Sequence, residues 1–195
     1  MSKLISSILL VEDDAGHAAL ISRVLKDFAD NVNVSPTIEN AKECLSNELF
    51  TLVVTDLNLP GSKGVTHVQE FQQIAPNTPV IVLSSSQSLK DVVLAMQMGA
   101  KDYVVKEFND DFKELVGLSL SRVYAAILLE QEHRKLQSQM RALRIAIESS
   151  ADGLAVLGEQ GQIQYCNRAF TEIVETLGGT PTNILECFSQ AVKRR

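Results

Sequence analysis

The sequence lacks most of the features that would assign a protein to a class from composition alone, and each absence excludes something. Its three cysteines, Cys44, Cys166 and Cys187, are too few and too scattered for a disulfide framework or a zinc site, and read as buried or idle thiols of a reducing compartment. No apolar run approaches the roughly 18 residues of a membrane span. The opening "MSKLISSILLVEDD" has no signal-peptide cleavage region, so a cytoplasmic location without a membrane partner is expected. Basic residues form no stripe apart from the terminal "KRR"; with a net charge of −6 and a pI near 5.1, a nucleic-acid surface is not expected. No glycine-rich phosphate loop comes after the first apolar run, only "EDDAGH", which speaks against a small-molecule enzyme on a doubly wound sheet.

What is present is a regular alternation. The runs "SILLVE", "VNVS", "LVVTD", "PVIVLSS" and "DYVVK" are short, rich in Val, Ile and Leu, and mostly apolar on both faces, as strands of a parallel sheet covered on both sides should be. Between them lie the amphipathic stretches "AGHAALISRVLKDF", "ENAKECLSNEL", "GVTHVQEFQQIA" and "SLKDVVLAMQMG", the last closed by Gly99, and a fifth helix begins near "NDDFKELV". Strict alternation predicts a doubly wound α/β domain with a five-stranded parallel sheet.

In such a sheet ligands sit beyond the carboxyl ends of the strands. Those ends carry Glu12, Asp13 and Asp14 after the first strand, Asp56 after the third, Ser84 after the fourth and Lys106 after the fifth. Taken singly these are bland: Asp14 reads as a helix cap, Asp56 before "NLPG" as turn chemistry, Ser84 as a loop hydroxyl. Together they are acids that would repel one another in a cleft, and a divalent cation preferring hard oxygens, with Mg²⁺ the best fit, resolves the repulsion. Glu12, Asp13 and Asp56 supply −3, and Mg²⁺ with Lys106 supplies +3, so the cluster balances if all of them meet.

The segments "ILLVEDD", "VVTDLNLPG", "PVIVLSSS" and "GAKDYVVKEF" resemble, in order and spacing, the motifs of receiver domains of two-component response regulators, over about residues 5 to 122. The resemblance implies a flavodoxin-like fold. It also implies phosphorelay signalling, in which Asp56 accepts a phosphoryl group from a phosphohistidine on a histidine kinase or phosphotransfer protein. It implies Mg²⁺ held by Glu12, Asp13, Asp56 and the backbone carbonyl of Asn58, a phosphoryl oxygen bonded by Ser84, Lys106 paired with Asp56 or the phosphoryl group, and Tyr103 as the aromatic residue that swings inward as Ser84 moves. Such a domain assists its own Mg²⁺-dependent phosphorylation without being an enzyme. Two residues depart from the family pattern: Glu107 stands where a proline usually follows the lysine, and Lys63 replaces an acid before Gly64. Glu107 leaves open an alternative, a receiver-like interaction module regulated without phosphorylation. His17 and His67 fall on predicted helices and are expected to be at least partly exposed.

No glycine or proline interrupts the chain between Leu118 and Ser150. Leu129, His133, Leu136, Met140, Leu143 and Ile147 alternate steps of four and three, the seam of a coiled coil, with His133 as a register-setting polar position. At about 1.5 Å per residue a helix from Asp110 to Ser149 would reach roughly 60 Å. Residues 1–122 are thus expected to form the receiver, 123–149 a coiled-coil linker that dimerises the chain, and 150–195 a further piece. In that piece "GLAVLGEQGQIQYCN" reads as two strands and a turn, and "RAFTEIVETL" as a helix closed by Gly178 and Gly179. Over about residues 143 to 179 it resembles the opening of a PAS domain, with Asn167 ending the second strand. Two strands and one or two helices bury little core alone, so the chain is expected to be the front of a longer protein, with any output enzyme beyond Arg195.

Overall fold

A computed structural model describes residues 3, 5–61 and 65–176; the expectations for Lys63, Gly64, Gly178, Gly179, Cys187 and a short helix after Thr180 lie outside the described residues. The chain forms two compact units, residues 1–128 and 129–195.

In the first unit the apolar runs become strands β1 (Ile5–Val11), β2 (Ala29–Ser35), β3 (Leu52–Asp56), β4 (Val80–Ser84) and β5 (Asp102–Val105). All pair in parallel, in the order β2-β1-β3-β4-β5. Every residue of β3 and of β4 is buried, as central strands covered on both faces require. The alternation of side chains sends Leu9, Val11, Val53 and Val82 to one face, against α2 (Ile38–Asn47), α3 (Thr66–Ile74) and α4 (Leu89–Gln97). Ile8, Leu10, Val54 and Leu83 go to the other, against α1 (Ala15–Leu25) and the start of α5 (Phe112–Glu148). Each large side chain so buried contributes about 1.5–3 kcal/mol. β2 departs from the expectation of strands apolar on both faces. It begins earlier, at Ala29, and leaves Asp30, Asn31 and Asn33 exposed, because it is an edge strand.

The start of α5 is anchored by Phe112, Val116, Leu120 and Val123, a buried stripe at helical spacing. Lys113 pairs with Asp27 at 2.6 Å. Phe28 lies so close to Gly117 that a Cβ there would stand 2.6 Å from the Phe28 ring. A glycine inside a helix costs about 1 kcal/mol against alanine; here it makes room for a ring from the α1–β2 connection. Beyond Ile127 the apolar side chains of α5 emerge, with Leu129 70%, Leu136 55%, Met140 66% and Leu143 56% exposed. Among the described residues no helix is long and apolar enough to cross a membrane.

In the second unit β6 (Ala155–Leu157) and β7 (Ile163–Cys166) form an antiparallel pair, with α6 (Arg168–Thr176) after it. The turn between the two strands passes through Gly161 at φ 78°, a left-handed conformation that glycine adopts without strain. Asn167, fully buried, ties the unit together. Its amide nitrogen donates to the carbonyls of Ile147 and Asp152, both at 2.9 Å, and its oxygen accepts from the N–H of Leu154 at 2.8 Å and of Phe170 at 3.0 Å. Glu148, at the end of α5, accepts from the Tyr165 hydroxyl at 2.7 Å and the Arg168 N–H at 3.1 Å. Those two donors hold the Glu148 carboxyl below its ordinary value, and the same contact pushes the Tyr165 phenol above its own.

Asn167→Ala strands four backbone groups at once. The expected loss is about 2 kcal/mol of local stability, or roughly thirtyfold faster amide exchange at Leu154 and Phe170, with exchange in β1 and β3 unchanged. Site-resolved hydrogen exchange checks it.

Candidate functional site

Parallel pairing aligns the strand ends. Val11 stands opposite Thr55, Asp56 opposite Leu83, and Ser84 opposite Val105, so the residues that finish β1, β3, β4 and β5 share one edge of the sheet. That edge includes the β1–β3 junction, where strand order reverses and ligands of this architecture bind.

Asp56 is 7% exposed and is compensated where it stands. The Lys106 ammonium donates to Asp56 Oδ2 at 2.6 Å and to Glu12 Oε2 at 2.8 Å, and both partners are buried with it. Asp56 Oδ1 accepts the Asn58 N–H at 3.2 Å. The other oxygen of Glu12, Oε1, is buried without a hydrogen-bond partner among the described residues, with His17 Nδ1 3.6 Å away. Asp13 is exposed, and ligand oxygens of Glu12, Asp13 and Asp56 lie within 4.8 Å of one another. Asp14 caps α1, accepting the His17 N–H at 2.7 Å, a bond that lowers its pKa.

Ser84 is fully buried at the tip of β4 and accepts the Ser86 N–H at 3.1 Å. The connection after it is held by its own side chains: Ser86 donates to Asp91 at 2.6 Å, and Tyr103 on β5 donates its hydroxyl to the Ser86 carbonyl at 2.8 Å. Tyr103 is half-buried against the α4 side of the core. Lys106 is fixed in the backbone as well, its N–H bonding the Ser84 carbonyl at 2.7 Å. The peptide bond after Lys106 is trans, and Glu107 accepts a hydrogen bond from the Gln87 amide, so two loops beside the site are joined.

The histidines divide. His17 is partly exposed, with its ring 5.0 Å from that of Phe108, and His133 is exposed and bonded to Gln137. His67, expected to be at least partly exposed, is instead 1% exposed. It sits one turn from Phe71 on the buried face of α3, and its Nε2 lies 3.0 Å from the backbone carbonyl oxygen of Asp56. The reading of histidine as a surface residue missed it; the signal was its place four residues before a core phenylalanine.

A family model described as response regulator receiver domain matches residues 8–116, more than half of the chain. The chain belongs to the response regulator receiver family. A second model, described as PAS domain, matches residues 138–191. The cell cycle transcriptional regulator CtrA of Caulobacter vibrioides is 27% identical over 173 residues, covering 89% of this chain and 71% of its own. The C4-dicarboxylate transport transcriptional regulatory protein DctD of Rhizobium meliloti is 24% identical over 170 residues, covering 87% of this chain; the chain spans 35% of its length. Among solved structures, a beryllofluoride-activated DrrB receiver domain is 28% identical with a TM-score of 0.53, covering 60% of this chain and 96% of that one. Receiver domains bind Mg²⁺ in an acidic pocket, and the residues here fit that ion: the donors are hard carboxylate oxygens, their charges exceed the one ammonium among them, and Glu12 Oε1 is an orphaned buried acceptor.

Lys106→Met leaves the buried carboxylates of this receiver without their ammonium. Breaking a buried pair from one side costs about 3–5 kcal/mol. A loss of that order is expected in urea unfolding with chelator present; a loss below about 1 kcal/mol would mean that solvent already screens the site.

Proposed function

We propose that this receiver accepts a phosphoryl group on Asp56 from the phosphohistidine of a histidine kinase or phosphotransfer protein. The observation that carries the reading is the clamp of Lys106 on Asp56 beside the acidic cluster of Glu12 and Asp13. Lys106 holds Oδ2 at 2.6 Å while Oδ1 carries the longer bond, 3.2 Å from the Asn58 N–H, so Oδ1 is the freer nucleophile. Its lone pair forms the O–P bond as the N–P bond of the donor breaks, and the electron pair leaves on the donor's imidazole nitrogen. Glu12, Asp13, Asp56 and the Asn58 carbonyl would hold Mg²⁺, which when bound supplies positive charge against the phosphoryl oxygens. Lys106 then shifts from carboxylate to phosphoryl oxygen as charge moves outward.

Ser84 is the residue that senses the product. Its hydroxyl turns to donate to a phosphoryl oxygen, which breaks its bond with the Ser86 N–H. The Ser86 carbonyl moves with that loop and releases the Tyr103 hydroxyl, so Tyr103 turns inward and the change reaches the face of α4 and β5. The Glu107–Gln87 contact favours the second reading, a module regulated without phosphorylation, because it ties the sensing loop to the loop after β5.

Incubation with Mg²⁺ and a small acyl phosphate separates the two. The wild type is expected to gain the mass of one phosphoryl group, on a peptide containing residue 56. Asp56→Asn is expected to gain none while keeping its circular dichroism and melting transition. Label retained in Asp56→Asn, or no label in the wild type, rejects the acceptor assignment.

The exposed seam of α5 carries the second half of the proposal. Two chains pair in parallel through Leu129, His133, Leu136, Met140, Leu143 and the half-buried Ile147, and a twist or shift of the paired helices relays the state of Asp56 to the second unit. In this reading residues 1–122 are the receiver, 123–149 the linker and 150–195 the start of a PAS-like domain in a cytoplasmic, Mg²⁺-dependent regulator. Nearly three heptads are marginal alone and suffice when receivers also touch. The wild type is expected to sediment as a dimer, and Leu136→Asp with Leu143→Asp as a monomer. Identical sedimentation of the two would reduce the helix to a tether.

A further inference from the structure

His67 is a buried imidazole that neither the transfer step nor the sensing step uses. It stands in the first turn of α3 with its ring edge-on to Phe71 at 5.6 Å. Its Nε2 is 3.0 Å from the backbone carbonyl oxygen of Asp56. A carbonyl oxygen only accepts, so this contact requires the proton on Nε2. The same carbonyl accepts the Thr55 hydroxyl at 3.1 Å. Asp56 ends β3, and the next turn leads to Asn58, whose N–H returns to Asp56 Oδ1. The peptide plane that His67 grips therefore lies between the carboxylate and the residue that orients one of its oxygens.

We propose that His67 is a positioning residue for the phosphoryl acceptor. Its Nε2–H fixes the Asp56 carbonyl, and through that peptide it sets the aim of the carboxylate and the place of Asn58. The inference rests on the reading of Asp56 as the acceptor. A leucine would fill much of the same space against Phe71, and packing alone does not need an N–H here. The donor makes a different demand: a nucleophile must arrive within a narrow range of geometry, and a displacement of about 1 Å can cost a hundredfold in rate.

Two variants separate donor from volume. His67→Leu keeps an apolar side chain and cannot donate; His67→Gln places an amide N–H at a similar reach. With saturating Mg²⁺ and a small acyl phosphate, the first-order rate constant of phosphoryl uptake is expected to fall about tenfold in His67→Leu, the effect of one lost hydrogen bond. It is expected to recover largely in His67→Gln, with both melting within a few degrees of the wild type. In ¹⁵N spectra of the wild type, the proton is expected on Nε2, with scalar coupling across the hydrogen bond to the ¹³C-labelled Asp56 carbonyl. Uptake by His67→Leu at the wild-type rate, equal loss in both variants, or an Nε2 without its proton overturns the proposal. If neither variant folds, the wild-type imidazole spectrum decides alone. Wild-type protein that takes up no phosphoryl group defeats the acceptor reading, and this inference with it, whereas uptake that is indifferent to His67 defeats this inference only.

Discussion

The Lys106 ammonium, buried between the carboxylates of Glu12 and Asp56, is the contact around which the strand ends of the first unit are assembled. A lone charge in that position would cost several kcal/mol, and three groups brought together without register would leave one of them unpaired. Register therefore carries the site. β1 and β3 are matched at Val11 and Thr55, and β4 and β5 at Ser84 and Val105, so the residues just past those pairs arrive at one level. A slip of one residue in β5 would turn Lys106 to the opposite face of the sheet. The apolar alternation that builds the two core layers, with Leu9, Val11 and Val53 on one side and Ile8, Leu10 and Val54 on the other, is thus also what aims the lysine.

The clamp is not neutral. Among the described residues Glu12, Asp13 and Asp56 outnumber the one ammonium, and Glu12 Oε1 is buried with no donor. A site built this way is held by the fold at a higher free energy than its charges would choose, which makes it responsive to an added cation and to relocated anionic charge. The neighbouring bonds are coupled in a similar way. Ser84, Ser86 and Tyr103 form a short chain of hydrogen bonds from the strand edge outward. Both bonds meet at Ser86, so one residue ties the buried tip of β4 to the half-buried Tyr103.

Much of this was readable from sequence because it rests on repetition. β1, β3 and β4 show as apolar runs since both faces are covered, and the acids and the lysine show because each comes directly after such a run. Only the "VNVS" half of β2 shows in the sequence, because an edge strand is half solvated and "ADNV" has the composition of a loop. His67 departs from expectation for a related reason. Residue type argued for exposure, while its position four before Phe71 argued for burial, and position won because the Asp56 carbonyl supplies the ring with a partner. Asn167 shows in the sequence only as the end of a strand, but its four hydrogen bonds join groups from residue 147 to residue 170, and no local pattern announces a contact set of that span.

The long helix poses the opposite problem, since its sequence pattern is plain and its energetics change along its length. Over its first turns burial stabilises it: Phe112, Val116, Leu120 and Val123 are in the core, and Gly117 forgoes helix propensity so that Phe28 can lie against it. After Ile127 that source ends. From there to the hydrogen-bonded end at Ile147 and Glu148, what remains inside one chain is intrinsic propensity, from a stretch rich in Leu, Gln, Arg, Ala and Glu, and weak pairs four residues apart such as Glu130 with Arg134. Each exposed pair of that kind is worth about 0.3–0.5 kcal/mol, whereas burying one leucine of the seam contributes about 1.5–3 kcal/mol. The apolar positions therefore have far more to gain from a partner than the polar ones gain by facing water. A helix in this balance is held by burial where it leaves the receiver, by hydrogen bonds at Ile147 and Glu148 where it ends, and by weak local terms over the exposed turns between.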